Sequence, residues 1–149
     1  MIRLSQVKGR RVVARDNAQV VGTIRRLHLD VATARIVGIE LDGAIDRDTI
    51  VEWPAVVAVG NDALFIQNAS DRREPLDKTE KAFVAGEFDL EGKLVMNDTG
   101  DALGTLEDLA YDEKTGRVTE LFVPGQVVAV ERMVALGSYA LILMAPTQA

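Results

Sequence analysis

An aspartate-threonine-glycine triplet, Asp98-Thr99-Gly100, follows the apolar residues 94–96 and is the first feature of this sequence that could carry chemistry. Aspartic proteases use this triplet, and they need two such aspartates facing one another to share a proton. An earlier, related stretch of the chain reads Arg15-Asp16-Asn17, so only a homodimer could supply the second aspartate. Asparagine, aspartate and glycine are also typical of a hairpin turn, which is the interpretation we favour.

Metal binding is the second chemistry that the residue types allow. His28 is the only histidine and the chain has no cysteine, so a metal would need carboxylate ligands. Acids cluster at Asp46 with Asp48 and at Asp98 with Asp101, but the ligand and glycine spacing of an EF-hand is absent. No nucleophile–base pair or phosphate-binding glycine loop is recognisable either. We therefore predict no metal, no cofactor, no catalytic residue and no enzymatic activity.

A cluster of arginines is the third candidate, formed by Arg10, Arg11, Arg25 and Arg26. A hairpin turning near Ala18 would place the two pairs across from each other, and facing like charges cost stability unless they are neutralised. An anionic partner such as RNA or an acidic protein surface could neutralise them. Alternatively, the side chains fan into solvent.

The element that must position these residues is an internal repeat, because Gly9–Leu41 is repeated as Gly92–Val123. The alignment superposes Gly22-Thr23-Ile24 on Gly104-Thr105-Leu106, and it superposes turn residues such as Arg35 on Arg117. Units this small are marginal alone, since about 60% of their unfolded surface is buried on folding. We divide the chain into repeat 1 at 1–74, a linker at 75–87 and repeat 2 at 88–149. We expect the two repeats to pack against and stabilise each other.

Each repeat predicts a series of strands with short turns between them. The pattern indicates one helical turn in the lead-in 1–8, a strand at 11–15, a turn at 16–19 and a second strand at 20–30. Ile24 and Leu27 are three residues apart, as are Leu106 and Leu109, so a bulge at 25–26 and at 107–108 would return each pair to one face.

The third strands alternate, which predicts one buried face in each copy. The expected core residues are Val37, Ile39, Leu41, Thr119, Leu121 and Val123. A short helical turn stopped by Gly60 or Gly137 should follow in each repeat, and the linker should be partly helical over 76–83.

The last strand of each repeat is apolar on both faces, which a free-standing unit should not need. We therefore predict that these strands lie at an interface between the repeats or between subunits. The candidate interface residues are Leu64, Phe65, Ile66, Leu141, Ile142 and Leu143.

Charge and composition narrow the function classes. Residues 1–74 hold 11 Lys and Arg against 10 Asp and Glu, a net of +1, whereas residues 75–149 hold 6 against 13, a net of −7. Neither half has the clustered positive charge and interleaved aromatics of a nucleic-acid module. No run approaches the length of a membrane span, so we expect no membrane insertion, and the lack of cysteine favours a cytoplasmic location.

The order of elements resembles the PRC-barrel family in tandem: a bulged Gly-Thr-Leu strand, the turn 112–117, the strand 119–123 and a short helical turn. Better-known members include the cytoplasmic domain of the photosynthetic reaction-centre H subunit and the C-terminal domain of a ribosome maturation factor. In both of these proteins the barrel serves for docking. We see neither the membrane helix of the first nor the RNA-associated N-terminal domain of the second, so neither role is expected here.

We therefore predict an all-β protein of two PRC-barrel-like β-barrels, each with one short helical turn, packed as a pseudo-symmetric pair. Its function would be that of a non-enzymatic adaptor for another protein or for itself as a homodimer. The alternatives are an RNA- or ribosome-associated factor that uses the arginines, and a small-ligand or metal-binding barrel. We further expect Arg25 and Arg26 to lie near Glu107 and Asp108, because equivalent positions of opposite charge would meet at a pseudo-twofold axis.

Overall fold

The computed structural model describes residues 1–44 and 46–146, and its regular structure is mostly β-strand. The first part of the chain forms β1 (Ile2–Arg3), α1 (Leu4–Val7), β2 (Arg11–Ala14), β3 (Gln19–Asp30), β4 (Arg35–Asp42), β5 (Ile50–Glu52), β6 (Val56–Val59), β7 (Ala63–Ile66), β8 (Arg72–Arg73) and α2 (Lys78–Val84). The second part forms β9 (Leu94–Asn97), β10 (Ala102–Thr105), β11 (Asp108–Tyr111), β12 (Val118–Val123), β13 (Gln126–Ala129), β14 (Met133–Leu136) and β15 (Ala140–Leu143). Three 3-10 turns lie at Trp53–Ala55, Ala69–Asp71 and Val130–Arg132. The all-β prediction is confirmed.

Repeat 1 is a single seven-stranded sheet in the order β6-β7-β2-β3-β4-β5-β8, whereas repeat 2 is split into two four-stranded sheets. The orders of the two smaller sheets are β10-β9-β15-β14 and β1-β11-β12-β13. The difference arises at the predicted bulge. In repeat 1 the register shifts between Ile24 and Arg26 within one continuous strand, but in repeat 2 the strand stops at Thr105 and resumes at Asp108.

Both apolar pairs around this irregularity are buried, as the bulge prediction required. Ile24, Leu27, Leu106 and Leu109 are all almost inaccessible to solvent. They belong to one apolar cluster that runs through both repeats. The two units therefore share a core, which agrees with the small burial that either could achieve alone.

The predicted core of the third strands is wrong at its first position in each repeat. Val37 is 37% exposed and Thr119 is half-buried, whereas the preceding residues Ile36 and Val118 are buried. The register shifts between His28 and Leu29, and again between Ala110 and Tyr111. At the start of each third strand, the residue that faces the core is therefore one position earlier than predicted. Ile39, Leu41, Leu121 and Val123 are buried as predicted.

The short helical turns are confirmed, but the glycines after them have another role. Residues 56–59 and 133–136 form β6 and β14 directly after the turns, so Gly60 and Gly137 lie in the hairpins that follow. Helix α1 lies in the lead-in, and α2 begins two residues later and ends one residue later than predicted.

Equivalent residues of the two repeats meet at the start of their third strands. Arg35 is paired with Arg117 in an antiparallel bridge between β4 and the start of β12. The Ile36 amide donates to the Gly116 carbonyl at 2.7 Å, and the Val118 amide donates to the Ala34 carbonyl at 2.8 Å. Because each hydrogen bond is the symmetry mate of the other, the pseudo-twofold axis passes through this bridge.

The predicted approach of Arg25 and Arg26 to Glu107 and Asp108 is therefore wrong. Arg26 pairs with Glu40 and Asp89 instead, and Arg25 lies 3.8 Å from Glu40. The pseudo-twofold axis brings the starts of β4 and β12 together, where free backbone N–H and C=O groups form the bridge.

Each repeat instead holds the lead-in of the other. Strand β1 pairs with β11 of repeat 2, and the Ser5 amide and hydroxyl both donate to the Asp108 carboxylate. In the reciprocal contact, Arg26 of repeat 1 donates to Asp89 at 2.7 Å and to the Val84 carbonyl at 3.0 Å. Arg26 and Asp108 are equivalent positions. The boundaries at 1–74, 75–87 and 88–149 remain a prediction.

The bridge predicts a stability difference between two equivalent turn positions. A Cβ on Gly116, whose φ is +78°, would lie 2.5 Å from the Ile36 carbonyl oxygen, which is held by its neighbouring hydrogen bond. We expect Gly116→Ala to lower the free energy of unfolding by about 2 kcal/mol or more, since the left-handed backbone alone costs about 1–2 kcal/mol. Ala34 already has a φ of 54°. Ala34→Gly should therefore change stability by no more than about 1 kcal/mol in urea unfolding. Equal melting of both variants and wild type would contradict the bridge.

A second prediction concerns Tyr111, which is fully buried and meets the Trp53 ring edge-on at 5.5 Å between centroids. Its hydroxyl has no hydrogen-bond partner within the described parts of the chain, and burial raises its pKa. An unsatisfied buried hydroxyl costs about 1–3 kcal/mol. We expect Tyr111→Phe to keep or raise the melting temperature, whereas Tyr111→Leu, which loses the ring, should lower it. A Phe variant that is less stable by more than about 1 kcal/mol would reveal a missing partner.

Candidate functional site

A groove of about 660 Å³ lies between the repeats and α2. Strand β4 and the Trp53–Ala55 turn form its floor, α2 forms one wall, and the turn after β11 in repeat 2 closes the far end. We call it the junction groove. Its volume lies within the range of about 300–1,000 Å³ that is usual for ligand sites.

Apolar and aromatic side chains line the middle of the junction groove. Val37 is exposed on the outer face of β4, which is the consequence of the register shift described above. Trp53 contributes from the turn, and its indole N–H donates to the Glu113 carbonyl of repeat 2 at 3.2 Å. Phe83 contributes from α2 and stacks on His28, with 4.5 Å between ring centroids and an interplanar angle of 13°. Burial lowers the pKa of His28.

An ion-paired network lies at the α2 end of the groove. Arg73 donates to both carboxylate oxygens of Glu80 and to Glu52 at 3.1 Å. Glu80 also accepts from the Leu76 amide, and Asp77 accepts from the Glu80 amide as the N-cap of α2. The hydrogen bond from Arg73 lowers the pKa of Glu80. The Glu80 carboxylate, in the linker, therefore binds α2 to Arg73 of repeat 1.

The opposite end of the junction groove is cationic. Arg35 and Lys114 line it, one from each repeat, together with the Thr115 hydroxyl. All three are exposed. Across residues 1–44 and 46–146, no ion pair includes Arg35, Arg117 or Lys114. Sequence reasoning missed this site, although the alignment of Arg35 with Arg117 and the single tryptophan were signals that could have indicated it.

The predicted arginine cluster is dispersed by the strand register. Arg11 lies opposite Thr23, so the two arginine pairs do not face one another. Arg10 donates to the Gly60 and Gln6 carbonyls, and Arg26 is held by Glu40 and Asp89. Arg25 lines a smaller cleft of about 220 Å³ with Arg26, in which Asp89 and Glu91 supply negative charge. Arg11 and Arg25 are the exposed members.

The residues considered for catalysis and for metal binding have structural roles. Asp98, Thr99 and Gly100 form the turn between β9 and β10, and Asp98 accepts from the Ala145 amide. Asp46 accepts from Arg72 at 2.9 and 3.2 Å, which lowers the pKa of Asp46. Within the described ranges, no group of three or more His, Asp or Glu side chains could hold a metal ion.

The candidate interface strands present one buried and one outward face. Leu64, Ile66, Leu141 and Leu143 are buried in the core. Phe65 points outward beside its ladder neighbours Val13 and Ala58, and Val13 is followed by Val20 on β3.

Repeat 2 shows the equivalent arrangement. Ile142 lies beside Met96 and Ala135, and Met96 is followed by Ala102 on β10. We call these two sets of neighbours the outer rows. None of the ladders between the repeats in the described chain uses β7 or β15, so an interface between repeats does not account for the outer rows.

The fold and these sites define a tandem β module. The PRC-barrel domain profile matches residues 1–73 and 87–138, so the chain belongs to the PRC-barrel family and carries the domain in tandem. No curated protein matches the chain. Family membership indicates, at a coarse level, a module for protein interaction or assembly. In the described residues, no helix has both the length and the apolar character needed to span a membrane.

The Arg26 contacts generate a prediction about stability. Glu40 is 8% exposed and Arg26 is 15% exposed, so removing the arginine leaves a nearly buried carboxylate without its main partner. We expect Arg26→Gln to cost about 3 kcal/mol at pH 7, as for other broken buried pairs. Arg25→Gln, which alters a 51% exposed side chain, should cost less than about 1 kcal/mol.

The same variants should differ in pH dependence. Burial already raises the pKa of Glu40, and loss of Arg26 would raise it further. A carboxyl group whose pKa is raised in the folded state lowers the stability of the protein at high pH. This loss disappears at a pH low enough to protonate the group in the unfolded state as well. The deficit of Arg26→Gln should therefore shrink as the pH falls toward about 4. A deficit that is constant from pH 7 to 4 would show that Glu40 is not responsible.

Proposed function

We propose that this protein is a non-enzymatic adaptor that docks another protein through the outer rows of its two repeats. The observation that carries the proposal is the presence of an outward apolar row at the same place in both copies, centred on Phe65 and on Ile142. Val20 and Phe65 are exposed in the first row and Val57 is exposed beside it, and Val134 is exposed beside the second row. Exposed apolar surface of this kind is typical of protein interaction sites.

Two rows on one rigid body would give such an adaptor two places to bind. The repeats share a core and exchange their lead-ins, so the distance between the outer rows is fixed by the fold. A partner that contacts both rows gains from their fixed geometry, because the second contact forms within the same complex. A homodimer through these rows is the alternative arrangement of the same proposal. A cytoplasmic location also belongs to it, favoured by the absence of cysteine.

The RNA-associated alternative has less support. Arg26 is neutralised by Glu40 and Asp89, and Arg10 is bound to backbone carbonyls. The smaller cleft near Arg25 also contains acids. RNA binding through the remaining arginines would weaken steeply with salt, because counterions are released when phosphates are neutralised. A steep salt slope for ribosomal RNA, lost in Arg11→Gln with Arg25→Gln, would favour this alternative over docking.

The docking proposal predicts position-specific crosslinking. A photo-crosslinking phenylalanine analogue should be placed singly at Phe65 and Ile142 in the native cell, with Asn61 and Thr99 at exposed hairpin tips as matched controls. We expect discrete protein adducts at 65 and 142 and none at the controls. Sedimentation of the purified protein then distinguishes a homodimer from a complex with another chain. Absence of adducts at both rows would contradict the proposal.

The same surface can be tested by substitution. Phe65→Asp should abolish the adduct formed from position 142, and Ile142→Asp should abolish the adduct formed from position 65, because the partner contacts both rows. Both substitutions change outward side chains, so we expect the melting temperature to fall by only a few degrees. Leu64→Asp, which buries a charge, should unfold repeat 1 and serves as the contrast. The non-enzymatic part fails if turnover of any substrate is found that Asp98→Asn or another single polar substitution abolishes.

A further inference from the structure

The junction groove combines features that neither the family nor the docking proposal uses. Apolar side chains line it between two polar ends. At one end Glu52 and Glu80 are ion-paired with Arg73 and Asp77 caps α2, whereas at the other end the cations Arg35 and Lys114 have no ion-pair partner among the described residues. Both repeats and the linker contribute to it. A cleft with a largely apolar lining and a few polar groups at one place is the usual form of a small-molecule site.

The cationic end results from the pseudo-twofold axis. Arg35 and Arg117 are a directly opposed antiparallel pair that exchanges no hydrogen bond of its own, because the bonds are made by residues 34, 36, 116 and 118. Such a pair has Cα atoms about 4.5 Å apart, and both side chains stand on the same face of the ladder. Arg35 and Lys114 line the groove, and Arg117 adds a third positive charge beside Arg35. Like charges held this close are destabilising unless an anion lies between them.

Acids near these cations do not neutralise them by contact. Asp30 faces Arg35 across the β3–β4 hairpin, but its carboxylate accepts from the Thr33 hydroxyl at 2.7 Å. Asp112, the equivalent residue of repeat 2, accepts from the amides of Lys114 and Thr115 at 2.8 and 3.1 Å. Those backbone hydrogen bonds lower the pKa of Asp112. Two acids engaged in turns leave the guanidinium donors of Arg35 available.

We propose that the junction groove binds a small amphipathic organic anion, with its carboxylate on Arg35 and Lys114 and its apolar body over the exposed Val37, beside the largely buried rings of Trp53 and Phe83. Arginine and lysine donate charge-assisted hydrogen bonds to a carboxylate, and these are about twice as strong as neutral ones. The Thr115 hydroxyl supplies a further donor at the same end. The ion-paired end near Arg73 and Glu80 would face the far end of the apolar body, so the ligand has one orientation.

The only tryptophan of the chain lines this groove, so its fluorescence reports on the site directly. Octanoate is the probe, with octanamide as its neutral counterpart and octylammonium as its cationic one. We expect saturable change of Trp53 fluorescence with octanoate, confirmed by calorimetry, and affinities at least about tenfold weaker for the other two probes. That ratio is the usual cost of losing one hydrogen bond to a charged group.

Variants locate the head group. The double variant Arg35→Gln with Lys114→Gln should weaken octanoate binding by about tenfold or more and leave octanamide unchanged. Arg15→Gln with Lys78→Gln removes the same charge from exposed positions outside the groove and should bind octanoate like wild type. Phe65→Asp should also bind like wild type, so that failure of docking and failure of this site are separate results.

Three results would overturn the proposal: no saturable fluorescence change, equal affinity for octanoate and octanamide, or equal loss in the two charge-matched double variants. The charged side chains concerned are exposed, so folding of the variants is expected, and far-ultraviolet circular dichroism confirms it. An amide shift map by NMR should place the octanoate effects on residues 35–38, 53, 79–83 and 114–117. Effects confined to the outer rows instead would assign the binding to the docking surface and reject the groove.

Discussion

Two reciprocal backbone hydrogen bonds at the pseudo-twofold axis fix the geometry on which the rest of the molecule depends. They join the starts of the two third strands, where Ile36 and Val118 also turn their side chains into the shared core. Gly116 allows the approach because it has no Cβ where the Ile36 carbonyl lies. The same contact sets the Trp53 turn against repeat 2, and it thereby creates the junction groove.

The two copies use equivalent positions for the same purpose with different chemistry. Arg26 holds the lead-in of repeat 2 through Asp89 and a backbone carbonyl, whereas Asp108 holds the lead-in of repeat 1 through Ser5. A cation and an anion at the same place can each bind a chain segment, because backbone offers both donors and acceptors. Arg26 and Asp108 therefore carry opposite charges because they bind two different chain segments. No ion pair joins these two residues directly in the described structure.

The sequence was sufficient for the fold because its signals were local and occurred twice. The repeated glycines, turns and paired leucines indicated the strands, the bulge and the family. The first residues of the third strands were predicted wrongly, since a register shift at His28 depends on the partner strand and leaves alternation in the sequence unchanged. The junction groove could not be predicted either. Val37, Trp53 and Phe83 meet through the folding of repeat 1 and the linker, and the pseudo-twofold axis then brings Lys114 of repeat 2 to them.

The exchange of lead-ins has a consequence for how the chain is made. Residues 2–5 are synthesised before their partners on β11, which lie more than 100 positions later in the chain, as the separation of 103 between Ser5 and Asp108 shows. At about 5–20 residues per second, the N-terminal segment waits several seconds or more for its place in a sheet. During that time Leu4 and Val7 are apolar residues without a core. Synthesis therefore passes through a stage at which repeat 1 is complete in sequence but β1 still lacks its partner strand β11.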